Sequence, residues 1–231
     1  MALVLFSGSA IAELIAHWPL DGNADDALGN HNGSASSVAY GADGAAAHTG
    51  TAAEFNGSNS TITVPFSSDL NPDSFTLSMW ANADSTSGFA SAVTSRDDVA
   101  GPITHGYIIY NNSGGNWDFW TGDGDAGWDS LAGPAVATGN WTHLAITYDA
   151  ATDTKSLWVN GALAVSDNTP QSGPTQYAPN GTIESENLNI GSGADNGSQF
   201  YFDGLIDDVA LWDNVLSLAE IQDVMNNGRY S

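Results

Sequence analysis

Oxygen-bearing side chains are concentrated in one short segment near the start of the chain. Asp21, Asp25, Asp26 and Asn30 fall within ten residues that are also rich in glycine. Such a segment offers carboxylate and amide oxygens, and its backbone carbonyls can turn inward, which is the ligand chemistry that Ca²⁺ prefers. A second interpretation is that these side chains only stabilise turns by accepting backbone N–H hydrogen bonds.

A further candidate ligand, Asp207, lies in a strand-like segment near the other end. Alternation places Asp207 on the same face as three apolar residues, where an uncompensated carboxylate is costly to bury. These residues are Leu205, Val209 and Leu211. The whole chain has only 3 Lys and Arg residues that could pair with it. We therefore predict a structural Ca²⁺ that joins the two chain ends. Its predicted ligands are Asp21, Asp26, Asn30, the backbone carbonyl of His31, and Asp207.

The segment from Trp117 to Asp129 combines three tryptophans with several aspartates and glycines. Sugar rings stack on aromatic side chains through their apolar faces, while carboxylates and amides bond the hydroxyl groups. This composition predicts a glycan site, although Trp117 and Phe119 share one face and are expected in the core. The predicted carbohydrate-binding residues are Tyr110, Asn111, Trp120, Asp123, Asp125 and Trp128. Alternatively, Asp123, Asp125 and Asp129 hold a second calcium ion, with a spacing that does not fit an EF-hand.

Catalytic constellations find less support in the sequence. A glycosidase needs two carboxylates at a defined separation, and a serine hydrolase of the α/β type needs a Gly-x-Ser-x-Gly elbow, which the chain lacks. His105 and His143 could act as acids or bases, but no neighbouring residues complete a triad, and a structural role suits His143 better. No catalytic residue is predicted. A polysaccharide hydrolase or lyase, or a passive adhesion module, remains an alternative to a binding module.

The elements that must position these residues are mostly strands. Apolar and polar residues alternate from end to end, as in Phe75–Ala81, and Asn160-Gly161 between two strand-like runs predicts a β-hairpin with a type I′ turn. One helix is predicted after Ser217, which forms a capping-box sequence with Glu220. About a dozen short strands and one terminal helix predict a single two-sheet sandwich over residues 13–231.

Six short segments, spread from the first strand-like run to the last, form one ordered series: His17–Asp26, Ala53–Gly57, Asn71–Trp80, Asn140–Ala145, Leu157–Gly161 and Phe202–Trp212. Together these segments resemble the concanavalin A-like lectin/glucanase superfamily, in particular the laminin G-like jelly-roll domains of secreted bacterial proteins. The resemblance implies an all-β, two-sheet antiparallel jelly-roll sandwich with one short C-terminal helix. It also implies a structural calcium ion between the N-terminal loop and the last strand. Function does not follow from this fold alone, because it hosts lectins, hydrolases, lyases and adhesion modules.

Charge and composition limit the classes of molecule that this protein can bind. The 231 residues hold 27 Asp and Glu against 3 Lys and Arg, a formal net charge of −24, which excludes nucleic acid and disfavours an anionic membrane surface. Residues 1–12 resemble the end of a signal peptide, with an apolar run followed by small residues. We therefore expect a secreted or cell-surface polysaccharide-binding protein, free-standing or as an accessory module of a larger secreted protein.

Self-repulsion among so many carboxylates should make stability depend on salt. The Debye length shortens from about 10 Å at 0.1 M to about 3 Å at 1 M salt, so added NaCl relieves the repulsion. We expect the melting temperature to rise from low to molar NaCl with calcium held saturating, as in a protein from a saline environment. A melting temperature that is flat or falls across this range would contradict the expectation.

Overall fold

The structure is a computed structural model that describes residues 12–96, 105–123, 128–168, 187–195 and 198–230. Residues 1–11 of the predicted signal-peptide remnant (residues 1–12) and Asp125 lie outside the described residues, so the predictions made for them stay untested. The described part of the chain forms seventeen strands, a short 3-10 helix at Ser68–Leu70 and one α-helix. The strands are β1 (Leu14–Trp18), β2 (Ser34–Ser36), β3 (Ala39–Asp43), β4 (Thr51–Asn56), β5 (Thr61–Val64), β6 (Phe75–Ala83), β7 (Ala90–Arg96), β8 (His105–Asn111), β9 (Asn116–Asp123), β10 (Trp128–Ala135), β11 (Thr142–Asp149), β12 (Thr154–Val159), β13 (Ala162–Asp167), β14 (Leu188–Ile190), β15 (Ala194–Asp195), β16 (Ser198–Gln199) and β17 (Asp203–Trp212), and the helix is α1 (Leu218–Asn227).

Two antiparallel sheets face each other, as the resemblance implies. The eight-stranded sheet has the order β13-β12-β11-β6-β17-β4-β3, and β1 also pairs with β17, beyond the part of β17 that pairs with β4. The seven-stranded sheet has the order β10-β9-β8-β7-β14-β5-β2. Strands distant in sequence are therefore neighbours in both sheets, which is the jelly-roll arrangement.

Inward-facing side chains from both sheets form one core. Trp18, Phe55 and Phe75 from the eight-stranded sheet are at most 1% exposed, and Trp117 and Phe119 of β9 join them from the seven-stranded sheet. The prediction that Trp117 and Phe119 lie in the core is confirmed. Because side chains alternate along a strand, the residue between them and the one after Phe119 point to the outer face.

The predicted local features are also present. Asn160 and Gly161 have φ values of 50° and 70°, as a type I′ turn requires. The Ser217 hydroxyl accepts a hydrogen bond from the Glu220 N–H, and the Glu220 carboxylate accepts one from the Ser217 N–H, which completes the capping box. The helix that begins here packs through Ile221 and other apolar residues on the outer face of the eight-stranded sheet.

The predicted orientation of Asp207 was wrong. A β-bulge interrupts the pairing of β17 with β6 between Asp207 and Ala210, and Asp208 within it has a φ of 48°. The extra residue reverses the alternation, so Val209 and Leu211 face the core while Asp207 points to the outer face. The carboxylate is nevertheless fully buried, because a loop covers it from outside.

Two parts of the sheets were not predicted as strands. Strands β2 and β3 fill residues that carry little apolar content, and β10 begins at Trp128 inside the aspartate- and glycine-rich segment, for which no strand was predicted beyond its tryptophan-rich start. Strand β10 pairs with β9 along most of its length, with Ser130 opposite Trp120. Trp120 and Trp128 are therefore placed by sheet register rather than by a loop.

Candidate glycan and metal sites

Asp26 organises the N-terminal loop through its carboxylate. Oδ1 accepts hydrogen bonds from the backbone N–H groups of His17 (2.9 Å) and Leu28 (3.1 Å), and Oδ2 accepts from those of Asn30 and His31 (3.0 Å each). The side chain is 4% exposed. Four N–H donors satisfy a buried carboxylate without any metal or cation, and this matches the turn-stabilising interpretation.

Two further members of the predicted calcium set lie in the same loop. The His31 carbonyl accepts a 2.7 Å hydrogen bond from the indole N–H of Trp18, and the Asn30 side chain is exposed. The His31 ring lies 3.1 Å from the Asp69 carboxylate, which helps to hold the pKa of Asp69 below its ordinary value. These contacts tie the first loop to the rest of the fold.

The other two predicted ligands, Asp21 and Asp207, lie away from this first loop. Their carboxylates approach the loop that joins β3 to β4, residues 44–50. Asp207 Oδ2 accepts a 3.0 Å hydrogen bond from the Ala45 N–H, and Asp21 Oδ1 accepts one of 2.6 Å from the Thr51 N–H. A Cβ added to Gly50 would lie 2.1 Å from Asp21 Oδ1, and one added to Gly44 would lie 3.0 Å from Asp207 Oδ2. The two glycines let both carboxylates approach the loop backbone closely.

The Asp207 carboxylate is incompletely satisfied. The residue is 0% exposed, and its Oδ1 accepts no hydrogen bond within the described part of the chain. Burial, together with the neighbouring carboxylates of Asp208 and Asp21, raises the pKa of Asp207 to about 7, although hydrogen bonds oppose the rise. Asp208 is compensated separately, since its carboxylate lies 2.7 Å from His17 Nε2.

The outer face of the seven-stranded sheet carries a continuous row of aromatic rings. Each ring centroid lies 5.3 to 6.4 Å from the next. We call this set the outer aromatic row; in order it is Trp128, Trp120, Tyr110, Phe89 and Phe200. The rings at both ends and Trp120 are partly exposed, Phe89 is 38% exposed, and Tyr110 is buried, with 2% exposed. Phe89 and Phe200 were missed in the sequence, where neither stands near the tryptophan-rich segment.

A cation supports one end of the outer aromatic row. Arg96, Gly106, Gly122 and Trp128 are register partners on four neighbouring strands. Because the two glycines carry no side chains, the Arg96 side chain can extend across the sheet, and its guanidinium carbon lies 4.3 Å from the Trp128 ring centroid. A cation at this distance over an indole stabilises the ring position. Arg96 is 3% exposed and carries no signal in the sequence for this role.

Polar groups accompany the outer aromatic row. Asp118 lies between Tyr110 and Ala132 in the sheet register and is 3% exposed; its Oδ2 accepts a 3.0 Å hydrogen bond from the Asn112 side chain. Neither Asp118 Oδ1 nor the indole N–H of Trp120 has a hydrogen-bond partner among the described residues. An acceptor and a donor without partners thus lie two residues apart on the same face of β9.

The remaining predicted glycan residues are placed differently. Asn111 pairs with Trp117, faces the interior and is 0% exposed, and its side-chain amide donates to the Gly88 carbonyl. The backbone of Asp123 ends β9, paired with His105. The structure therefore brings Tyr110, Trp120 and Trp128 together and separates Asn111 from them.

Asp129 has a cationic partner, which weakens the case for a second calcium site. Lys155 Nζ lies 2.6 Å from Asp129 Oδ2 and donates to the Asp129 carbonyl at 2.9 Å, between the two sheets. The ammonium also lies 5.8 Å from the Phe119 ring. Burial lowers the pKa of Lys155 against the attraction of Asp129. This pair links β12 to β10.

Ser78 and His143 form a contact that superficially resembles a catalytic pair. Ser78 Oγ lies 2.9 Å from His143 Nε2, on the face of the eight-stranded sheet that also carries the helix. Both residues are at most 2% exposed, and burial, aided by His48, lowers the pKa of His143 to about 3. An inaccessible imidazole that stays neutral cannot receive a proton near pH 7, so the pair has a structural role.

The comparisons with known proteins agree with this architecture. The family model Laminin_G_3, of the concanavalin A-like lectin/glucanases superfamily, matches residues 56–222, so the chain belongs to this family and the resemblance is confirmed. The human pentraxin-related protein PTX3 is 34% identical over 98 residues, a match that covers 40% of this chain and 25% of that protein.

Two solved structures share the fold at low sequence identity. Domain 4 of AbnA, an extracellular GH43 arabinanase from Geobacillus stearothermophilus solved with arabinotriose, is 24% identical with a TM-score of 0.67, over 93% of this chain and 99% of that one. The CBM40 of the Ruminococcus gnavus IT-sialidase, bound to α2,3-sialyllactose, is 16% identical with a TM-score of 0.59, over 75% and 95%. Separately, no helix in the described ranges combines the length and apolarity needed to cross a bilayer.

The contacts of Asp26 predict a large and calcium-independent effect on stability. Replacing Asp26 with Ala leaves four backbone N–H groups without their acceptor, and we expect the free energy of unfolding to fall by about 2–4 kcal/mol. The exposed neighbour Asp25 provides the control, because Asp25→Ala removes the same charge and should change stability by less than about 0.5 kcal/mol. Denaturant unfolding would measure both. A loss that appears only with calcium present would instead identify Asp26 as a metal ligand.

Proposed function

We propose that this protein is a calcium-stabilised carbohydrate-binding module, secreted and non-catalytic, that binds a polysaccharide along the outer aromatic row. The observation that carries the proposal is the row itself: five rings in series on one sheet face, with unpartnered hydrogen-bonding atoms of Asp118 and Trp120 beside them. The four partly exposed rings would stack on the apolar faces of sugars, with the buried Tyr110 ring supporting its neighbours, and the polar atoms would bond hydroxyl groups.

The similar structures support a glycan as the ligand class. The arabinanase domain was solved with arabinotriose and the sialidase module with sialyllactose. Both domains are similar to this chain in fold, and a binding experiment is what identifies the sugar. The membership of a lectin/glucanase superfamily and the aromatic row point in the same direction independently.

Removal of single rings tests the glycan proposal. A glycan array followed by isothermal titration would identify a ligand for the wild-type protein, and we expect Trp120→Ala and Phe89→Ala each to weaken its binding by about tenfold or more, because each loses a stacking surface worth roughly 1 kcal/mol or more. Trp80 is a matched control, since it is a half-buried tryptophan on the outer face of the other sheet. Trp80→Ala should leave the affinity unchanged.

Three outcomes would contradict the proposal. The first is an equal loss of binding in Trp80→Ala, which would move the site to the other sheet. The second is the release of reducing sugar from the bound polysaccharide, which would make the protein an enzyme. The third is the absence of binding to any glycan on the array. Thermal unfolding of each variant would confirm that it is folded.

The calcium part of the proposal rests on Asp207. A carboxylate oxygen with no exposed surface and no donor among the described residues needs a positive partner, since a buried charge is costly without one. Asp21 approaches the same loop, and Ca²⁺ takes six to eight oxygen ligands that include carboxylates and backbone carbonyls. Asp207, Asp21 and carbonyls of the 44–50 loop would hold the ion. Bound calcium would neutralise the buried charge and join both chain ends to this loop.

The pH dependence of calcium-free protein follows from the raised pKa. Between the ordinary carboxyl value of about 4 and about 7, folded protein keeps a proton on Asp207 that unfolded protein releases, so the stability of calcium-free protein falls across this pH range and levels off above about 7. In chelator at pH 8, Asp207→Asn should therefore be more stable than wild type by a few kcal/mol, and the gap should close near pH 4.

With calcium bound, wild-type protein should be more stable than Asp207→Asn, the reverse of the order in chelator. We expect added Ca²⁺ to raise the melting temperature of wild-type protein and of the control Asp25→Asn, and to leave Asp207→Asn unchanged, because that variant lacks the buried carboxylate. Differential scanning calorimetry on chelator-treated protein would measure all three. An equal calcium response in wild type and Asp207→Asn would contradict the metal site.

The proposed setting is extracellular and saline. A net charge of −24 favours a salt-rich medium, and the absence of cysteine means that stability does not depend on disulfides. In such a setting calcium binding at Asp207 would supply the cross-link between chain ends. An accessory module of a polysaccharide-degrading protein would use the outer aromatic row to hold its substrate.

A further inference from the structure

The charges around the outer aromatic row are unevenly distributed. Asp118 lies on the row's own face, while Arg96 is the one cationic Lys or Arg that the described residues place there. The guanidinium of Arg96 is stacked on Trp128. Lys155, on the inner side, is held by Asp129. The described face therefore offers no cation that projects freely toward a ligand.

The missing partner of Asp118 is a hydrogen-bond donor. Its Oδ1 is buried and accepts nothing from the described residues, although Oδ2 is bonded to Asn112. An ionised carboxylate can only accept, so the group that satisfies it must carry an O–H or N–H. A sugar hydroxyl supplies an O–H. Anionic sugars also carry hydroxyls, but a carboxylate or sulfate placed near Asp118 supplies no donor and adds charge repulsion, and this repulsion is what disfavours them.

Trp120 requires the complementary group. Its indole N–H has no acceptor among the described residues, and it is separated from Asp118 by one inward-facing residue, about 7 Å along the strand. Hydroxyl groups both donate and accept, so two hydroxyls of a sugar could satisfy the Asp118 oxygen and the Trp120 N–H together. The two atoms thus define the same ligand chemistry.

The net charge acts in the same direction at longer range. A protein of charge −24 repels anionic polymers at low salt, and the repulsion weakens as salt shortens the Debye length. Local and long-range electrostatics therefore both disfavour uronates, sulfated sugars and sialylated glycans.

We infer that the outer aromatic row selects neutral glycans and rejects anionic ones, with Asp118 as the residue that determines this specificity through a hydroxyl group of the sugar. The inference rests on the proposed glycan-binding function and names its ligand class. It separates this protein from the sialidase module that shares its fold, whose ligand carries a carboxylate.

The test compares matched neutral and acidic glycans. The probes are lactose with α2,3-sialyllactose, and methyl-esterified with free trigalacturonate, together with every neutral glycan that the array identifies and its carboxylated counterpart. Isothermal titration at 0.1 M NaCl should show each acidic probe binding at least about tenfold more weakly than the neutral one. At 1 M NaCl the difference should narrow, because the long-range part is screened.

Variants then assign the selectivity to Asp118. Asp118→Asn keeps an oxygen that can accept from Asn112 but removes the charge, so we expect weaker neutral binding and a neutral-to-acidic ratio reduced several-fold. Glu54→Gln is the control, because Glu54 is an exposed acid on the eight-stranded sheet and its loss changes the net charge equally. The control should leave the ratio unchanged.

Each result decides between defined alternatives. Acidic probes that bind wild type as tightly as neutral ones would overturn the inference and leave the proposed function standing. An unchanged ratio in Asp118→Asn would overturn the role of Asp118. Failure of every glycan to bind would overturn the proposed function and the inference with it. If Asp118→Asn does not fold, the wild-type comparison still decides the ligand class.

Discussion

The scarcity of positive charge constrains every buried acid in this protein. Only 3 Lys and Arg residues accompany 27 Asp and Glu, so most carboxylates inside the fold need a partner other than Lys or Arg, such as a backbone N–H group, a side-chain amide, a histidine, a metal ion or a ligand. Asp26 uses four backbone N–H groups, Asp208 uses His17, and Asp129 uses Lys155. Asp207 and Asp118 each retain an oxygen with no partner among the described residues, and these two oxygens define the two proposed sites.

The two proposed sites lie on the outer faces of different sheets, and these two faces are covered to different extents. On the eight-stranded sheet, helix α1 packs over Trp212 and Ala210, and the 44–50 loop covers Asp207. That face is closed and stabilises the junction of the chain ends. The seven-stranded sheet instead carries the outer aromatic row, with Trp120 and Phe89 partly exposed. The proposed calcium site and the proposed glycan site thus lie on opposite sides of one core.

Much of the fold could be predicted because it depends on local rules. Alternation placed Phe119 in the core, and Asn160-Gly161 and Ser217 marked a turn and a helix start correctly. Alternation failed at Asp208, because the bulge there places a non-glycine residue at a φ of 48° and no glycine in the sequence marks it. Strand β10 was missed because its composition is typical of a loop, while its conformation depends on pairing with β9.

The sites were less predictable because they depend on contacts between distant residues. The aspartates near the N-terminus looked equivalent as ligands, but only Asp21 approaches the 44–50 loop beside Asp207, while Asp26 is satisfied within its own loop. Arg96 reaches Trp128 only because two glycines on intervening strands share its row. An oxygen without a partner, such as that of Asp118, is visible only once all neighbouring donors are placed.

The indole N–H resonances of the eight tryptophans would show whether a neutral glycan binds along the outer aromatic row. Titration of ¹⁵N-labelled, calcium-saturated protein with a neutral oligosaccharide should shift the indole signals of Trp120 and Trp128. The signals of Trp18 and Trp80, which lie in the core and on the other sheet, should stay in place. A shift of Trp80 with Trp120 and Trp128 unchanged would contradict the account.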